Sequence, residues 1–293
     1  MTSLIENKAM RLRDEAQKRM NSTGFLQTLF GGGRKIGEAI DYYTRAGNLF
    51  KLSKNWLQAA TVFADAAQLN CETRDHLEAA IDYSEAGECF RKCQQIAKAV
   101  EHYLKAIALY LEMGRFLAAA KLHRTVAQAL EDDGDINGAR TNYERAAEFY
   151  REGRHYALAN DTLQKVAECE AMAGRYRKAI KIFQEAACFD LSDAALPQRN
   201  AAEHLFKAAI CHLCNDASAT ATAADNYCEM CPQFRDSSEH ELIMRLAECV
   251  EDRDLEGYAN VIRTFDTSSK LDVWHVTMLL RAKNSIDAEN DLG

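Results

Sequence analysis

Proline is nearly missing from this 293-residue chain, with only Pro197 and Pro232 present, so little in it interrupts a helix. No apolar run approaches the roughly 18 residues that a membrane-spanning helix needs. The opening stretch MTSLIENKAMRLRDEAQKRM mixes charges and lacks an apolar core before a small-residue cleavage site. That excludes a secretory leader and leads us to expect a cytoplasmic protein. Its ten cysteines fit that address as reduced thiols. Catalytic signatures are missing too. None of the eight histidines stands in an H-E-x-x-H pair, and no serine stands in a G-x-S-x-G elbow. Gly31-Gly32-Gly33 matches neither nucleotide-binding glycine template, because Ile36 stands where G-x-G-x-x-G needs glycine and no Gly-Lys follows. An enzyme is not expected.

What is abundant is Ala, Leu, Glu, Lys and Arg, a composition that favours helix. It is organised as a recurring octad, Ala-x-x-x-aromatic-x-x-Ala: AIDYYTRA from 39, AATVFADA from 59, AAIDYSEA from 79, AVEHYLKA from 99, ARTNYERA from 139 and AIKIFQEA from 179. Degenerate copies fill the gaps at 119 (AAKLHRTV) and at 159 (ANDTLQKV, with Leu163 for the ring), and two drifted copies follow near 202 and 223. Positions i, i+4 and i+7 share one face of an α-helix. Small alanines let neighbouring helices approach, and the ring fills the space between them. Gly114, Gly134, Gly153 and Gly174 follow helical runs and suit left-handed C-caps. Each twenty residues then make one helix of about 14–17 residues and a short turn, and forty make an antiparallel hairpin.

The expected fold is all-α: a right-handed superhelical solenoid of antiparallel hairpins resembling tetratricopeptide repeats. The solenoid is expected over 1–235. The apolar layout changes after that, so a C-terminal helical bundle with an acidic tail is expected over 236–293, with Trp274, Met278, Leu279 and Leu280 sealing its last hairpin.

Charge is uneven. The chain carries a net −8, yet residues 1–35 carry +4 and residues 236–293 carry −7, which suits different partners at the two ends. The stretch GFLQTLFGGGRKIG sets Phe25, Leu26, Leu29 and Phe30 just before the three glycines, where the repeat has no evident place for them. Fully burying four such side chains gains roughly 6–12 kcal/mol. With Arg34, Lys35 and a basic helix beside it, loop 24–35 suits an anionic membrane surface, the glycines acting as a hinge; packing on the first hairpin is the other reading. CHLC (211–214) and CEMC (228–231) have a spacing close to a zinc ribbon. Cys211, Cys214, Cys228 and Cys231 also continue helical runs, and neither pair brings the glycine of a tight knuckle. No metal site is assigned.

The apolar loop, NLFKLSKNW (48–56), MGRFLAAAKLH (113–123), FKAAICHLC (206–214), SKLDVWHVTMLLRAK (269–283) and the final NDL together resemble the soluble NSF attachment proteins, of the alpha/beta type, in order over nearly the whole chain. The resemblance implies an adaptor without a cofactor or nucleic-acid partner. It would be a monomer alone, with several copies coating a SNARE four-helix bundle. It would recruit and stimulate the hexameric AAA+ ATPase NSF, which disassembles SNAREs in vesicle-mediated transport and membrane fusion, ER–Golgi traffic included. It would lie on the cytosolic face of membranes as a peripheral protein. The matching positions assign SNARE contacts to Lys54, Lys92, Arg115, Lys121 and the apolar Leu196, with Lys165 a further matching lysine. They assign the NSF contacts to Asp216, Glu248, Glu251, Asp252 and the penultimate Leu292, and the membrane loop to Phe25, Leu26, Leu29 and Phe30. The chain departs from the pattern at Asp161, Ala202 and Ser238, where close relatives carry Lys or Arg, and Asp161 reverses the local charge. A generic repeat scaffold for peptide or helical partners, or a paralogue with altered SNARE binding, are the alternatives.

Overall fold

In the computed structural model, residues 2–21, 32–192 and 198–290 are described. They contain helices and turns and no strand. Contacts divide the chain into two compact units, Met1–His155 and Tyr156–Gly293. The first holds α1 (Thr2–Asn21), α2 (Gly32–Leu52), α3 (Trp56–Glu72), α4 (His76–Lys92), α5 (Ile96–Glu112), α6 (Phe116–Asp132) and α7 (Ile136–Glu152). From α3 on, each helix has 17 residues and starts twenty after the last, as the octad period demands.

Side-chain pairs fix the direction of successive helices. Asn70 on α3 donates to Asp82 on α4 (2.9 Å), while Tyr83, one step further along α4, donates to Gln68, two steps back along α3 (3.3 Å). Contacts that advance on one helix and retreat on the next mean antiparallel packing. The alanines at both ends of the octads are buried, and so are Tyr43, Phe63, Tyr83, Tyr103 and Tyr143, each ring stabilising by about 1.5–3 kcal/mol through burial. Tyr hydroxyls repeat one solution to the polar end of the ring, donating fifteen residues back: Tyr83 to Gln68, Tyr103 to Glu88, Tyr143 to Gln128. Gly47 and Gly87 lie under the Phe63 and Tyr103 rings, where a Cβ would come within 2.7 and 2.8 Å.

The turns at 53–55, 73–75, 93–95, 113–115, 133–135, 153–155, 173–175 and 252–254 are three residues long and follow one plan. The middle residue is left-handed and its N–H reaches three residues back; the third N–H reaches five back, as Arg115 does to Tyr110 (2.8 Å) and His155 to Tyr150 (2.7 Å). This is a Schellman closure of the helix end. Gly114, Gly134 and Gly174 take the middle place as expected, with φ of 67°, 89° and 75°. Gly153 does not: it stands first in its turn with φ −76°, and Arg154 carries the left-handed φ of 60°. Lys54, Arg74, Gln94 and Arg253 do the same elsewhere. Turn geometry, rather than the presence of glycine, decides which residue is left-handed.

The second unit continues with α8 (Tyr156–Met172), α9 (Tyr176–Ser192) and α10 (Gln198–Asn215), then a 3-10 turn Ala217–Ala219, α11 (Thr220–Met230), α12 (Pro232–Arg235), α13 (Ser238–Glu251), α14 (Leu255–Ser268) and α15 (Val273–Asn290). One apolar cluster joins Ala167, Phe183, Leu205, Tyr227, Ile243, Tyr258 and Met278. The helices after 235 thus share a core with α8–α10, and the structural division falls at 155/156 while the sequence pattern changes near 235. Met278 and Leu279 are fully buried and Trp274 half-buried, but Leu280 faces outward at 51% exposure. Leu163, standing in for an octad ring, is only half-buried; Thr162 and Val166 beside it are buried instead. Of the expected loop 24–35, residues 32–35 belong to α2, so Gly32 and Gly33 open a helix. Phe25, Leu26, Leu29 and Phe30 lie outside the described residues, as do Leu196 and Leu292.

Candidate functional site

The four basic residues assigned by resemblance and described here all lie in the first unit and are exposed. Lys54 projects from the left-handed middle of the α2–α3 turn. Lys92 stands in the last turn of α4, its Nζ 3.8 Å from Glu88. Both are at helix C-termini, where the exposed carbonyls favour a cation. Because the helices alternate in direction, these two turns share one end of the hairpins. Arg115 is at the opposite end, the N-cap of α6, with Lys121 under two turns further on.

The structure brings Arg115 and Lys121 together. They line one cleft of about 460 Å³ with Gly114, Phe116, Leu117 and His155. Phe116 stacks on Phe149 at 6.4 Å between centroids, giving the cleft an apolar wall beside two cations. That pairing of apolar surface with guanidinium and ammonium groups suits an amphipathic helix that is acidic on its polar side. Phe116, Leu117 and His155 were not singled out from sequence. The hint was present in Phe116 and Leu117, which follow Arg115 directly in MGRFL.

The acidic set lies in the second unit. Asp216 is exposed ahead of the 3-10 turn and its carboxylate accepts from Ser218 (2.7 Å), a bond that holds its pKa below the usual carboxylate range. Glu248 and Glu251 end α13, and Asp252 caps it; all three are exposed. The 3-10 turn packs against α13, so the four carboxylates stand on neighbouring elements.

Lys165 is held elsewhere. Its Nζ lies 2.6 Å from Glu168, which is 5% exposed and also receives Lys207, 3% exposed, at 2.7 Å. Burial alone would raise the Glu168 carboxyl, but Lys207 and Lys165 more than offset it and hold it below its ordinary value. Lys207 also sits over the Trp274 ring at 5.8 Å. Glu170 is fully buried and joins Arg175 and Lys178. Asp161, Ala202 and Ser238, the departures from the family pattern, line three separate depressions of this unit.

The four cysteines of the zinc-like spacing are spread over α10, α11 and the residue after it. Cys214 donates to the Met278 carbonyl at 3.3 Å, and burial pushes its thiol up to about 12 and that of Cys211 well up. Among the described residues no three His, Cys, Asp or Glu side chains converge to hold a metal.

Stacked hairpins with a basic cleft and a separate acidic surface define a helical-repeat binding protein. The family description "Soluble NSF attachment protein, SNAP" matches residues 7–287. Human alpha-soluble NSF attachment protein is 37% identical over 98% of this chain and 97% of its own. The bovine beta protein is 38% identical over 98% and 96%. The vesicular-fusion protein sec17 homolog of Schizosaccharomyces pombe is 33% identical over 96% and 97%. The chain belongs to the soluble NSF attachment protein family, whose members are adaptors rather than enzymes. Among the described residues no helix is long and apolar enough to cross a membrane.

Proposed function

We propose that this protein is the adaptor that grips a SNARE four-helix bundle and recruits and stimulates NSF for its disassembly. The observation that carries this reading is the family match along residues 7–287. The cleft of Arg115 and Lys121, with Lys54 and Lys92 at the other hairpin end, offers cations to the acidic rod. Asp216, Glu248, Glu251 and Asp252 offer carboxylates to a basic domain of the ATPase. Leu292 acts in stimulation and Leu196 in an apolar SNARE contact. The solenoid would coat the bundle in several copies.

Membrane attachment is part of the same reading. Phe25, Leu26, Leu29 and Phe30 would enter the bilayer, and Lys8, Arg11, Lys18 and Arg34, which are exposed, would meet anionic lipid, worth about 1 kcal/mol per basic residue near the surface. Arg34 also pairs with Glu38 at 3.3 Å, and Arg13 and Arg19 are engaged with Asp14 and Glu38. Reconstituted disassembly of SNARE complex with NSF and ATP tests the proposal. Activity should require this protein and fall at least tenfold, about 1.4 kcal/mol, in an Arg115→Glu, Lys121→Glu variant. Disassembly at the same rate without the protein refutes it. The Phe25→Ser, Leu26→Ser variant should lose activity only on membrane-anchored SNAREs.

A further inference from the structure

Gly153 is a glycine that its own backbone does not call for. Its φ of −76° suits any residue, and the left-handed place beside it falls to Arg154 at 60°. The same first position in the other seven three-residue turns carries a side chain, Met113 and Asp133 among them. What sets 153 apart is its surroundings. It lines the cleft of Arg115 and Lys121, together with Phe116 and His155. A Cβ here would stand 3.1 Å from His155 Cδ2 and 3.7 Å from Phe116 Cβ, so any side chain at 153 would take up room beside both.

The apolar wall is braced. Phe116 stacks on Phe149, and Phe149 stacks on the buried His123 at 5.5 Å and 20°. His123 is tied through Nδ1 to Asn142 at 2.9 Å. Three rings from α6 and α7 thus hold one side of the cleft in place, and binding there has little left to order. Arg115 and Lys121 are exposed, and neither side chain joins an ion pair among the described residues. They stand six residues apart, about 9 Å along a helix axis. On a partner helix laid along α6, positions i and i+7 are about 10 Å apart and i+4 falls between them. We infer that the cleft is a socket for one large apolar side chain of a helix that carries acidic residues about one turn to either side of it. Gly153 is the floor of that socket and sets how deep the side chain goes. The adaptor reading above supplies only the identity of the helix. The socket adds selection for an apolar residue within an acidic stretch, where cations alone would accept any acidic surface.

Two measurements on the full chain test it. Gly153→Ala and Gly153→Leu are compatible with a φ of −76°, so the thermal midpoint should hold or rise. SNARE-bundle binding should fall nonetheless, less for Ala and about tenfold for Leu. The loss should be equal at low and high salt, whereas that of Lys121→Ala should shrink as salt screens the charge. Unchanged binding in Gly153→Leu, a loss that only tracks a fallen midpoint, or one that salt abolishes overturns the socket. Separately, an acetylated, amidated helical peptide with Glu at i and i+7 and Leu at i+4 should shift the Gly153 amide resonance saturably. Ser in place of that Leu, or Gln in place of both Glu, should weaken the response about fivefold. No saturable shift, or an equal one from either control, overturns it. If the wild-type protein binds no SNARE bundle, the adaptor reading fails, and the peptide decides the socket by itself.

Discussion

The two units solve the burial of polar groups differently. Among the described residues of the first, three polar side chains are buried: Asn70 and Asp82, bonded to each other, and His123, bonded to Asn142. Among those of the second, nine are buried, including Glu168, Glu170, Asp190, His204, Lys207 and His275, tied into ion pairs. The first unit is a repeat whose alanine and aromatic octads fill space, with His123 taking the ring's place in the degenerate copy from 119. The second begins where the octad degenerates to ANDTLQKV and the ring gives way to Leu163. A core that loses its repeating ring has to be completed by something else, and here charged groups and their partners complete it. In the first unit the ion pairs stand at the surface, as between Lys105 and Glu101; in the second they reach into the core, as with Lys207 and Glu168.

The sharpest way to break this contrast is at Lys207. Lys207→Met leaves Glu168 buried with only Lys165 and the Gln164 amide as side-chain donors among the described residues, and unfolding in denaturant should show a loss of about 3–5 kcal/mol. Adding Glu168→Gln should recover much of it. Equal stability of the single variant would mean that the network adds nothing.

Asp82 gives the first unit's nearest counterpart. Burial pushes its carboxyl up to about 7, against the lowering effect of the Asn70 hydrogen bond. A folded pKa above the unfolded one means that this group's contribution is complete below about pH 4 and declines as pH rises to about 7. Asp82→Asn should therefore match wild type near pH 4 and exceed it by about 1–3 kcal/mol at pH 8. A stability difference that does not vary with pH would contradict the assignment.

Close packing in the first unit is tested by Gly87→Ala, whose Cβ would meet the Tyr103 ring at 2.8 Å. The expected loss is about 1–3 kcal/mol, read from the thermal midpoint. The smallest effect is at the turns. Arg74, at φ 63°, should yield about 0.5–1 kcal/mol of added stability as Arg74→Gly, since glycine carries no left-handed penalty. The same change at Lys54 should stabilise too, while removing a proposed SNARE contact.

The helical class, the twenty-residue period, the octad burial and the short turns were legible in the sequence, because each depends on local spacing: side chains at i, i+4 and i+7 must share a helix face wherever that helix goes. The basic residues at 54, 92, 115 and 121 were legible only through resemblance, since a lone surface lysine has no local signature. Tertiary structure alone decided the rest. It placed the left-handed φ on Arg154 beside an available Gly153, turned Leu280 outward, joined Arg115 and Lys121 in one cleft with Phe116, and gathered Asp161, Asp190 and His204 around one pocket. Contacts between helices decide such features, and they join residues, for example, 14 and 106 positions apart in the chain. A charge costs little in water and several kcal/mol when buried, so its meaning is fixed by its surroundings rather than by its place in the sequence.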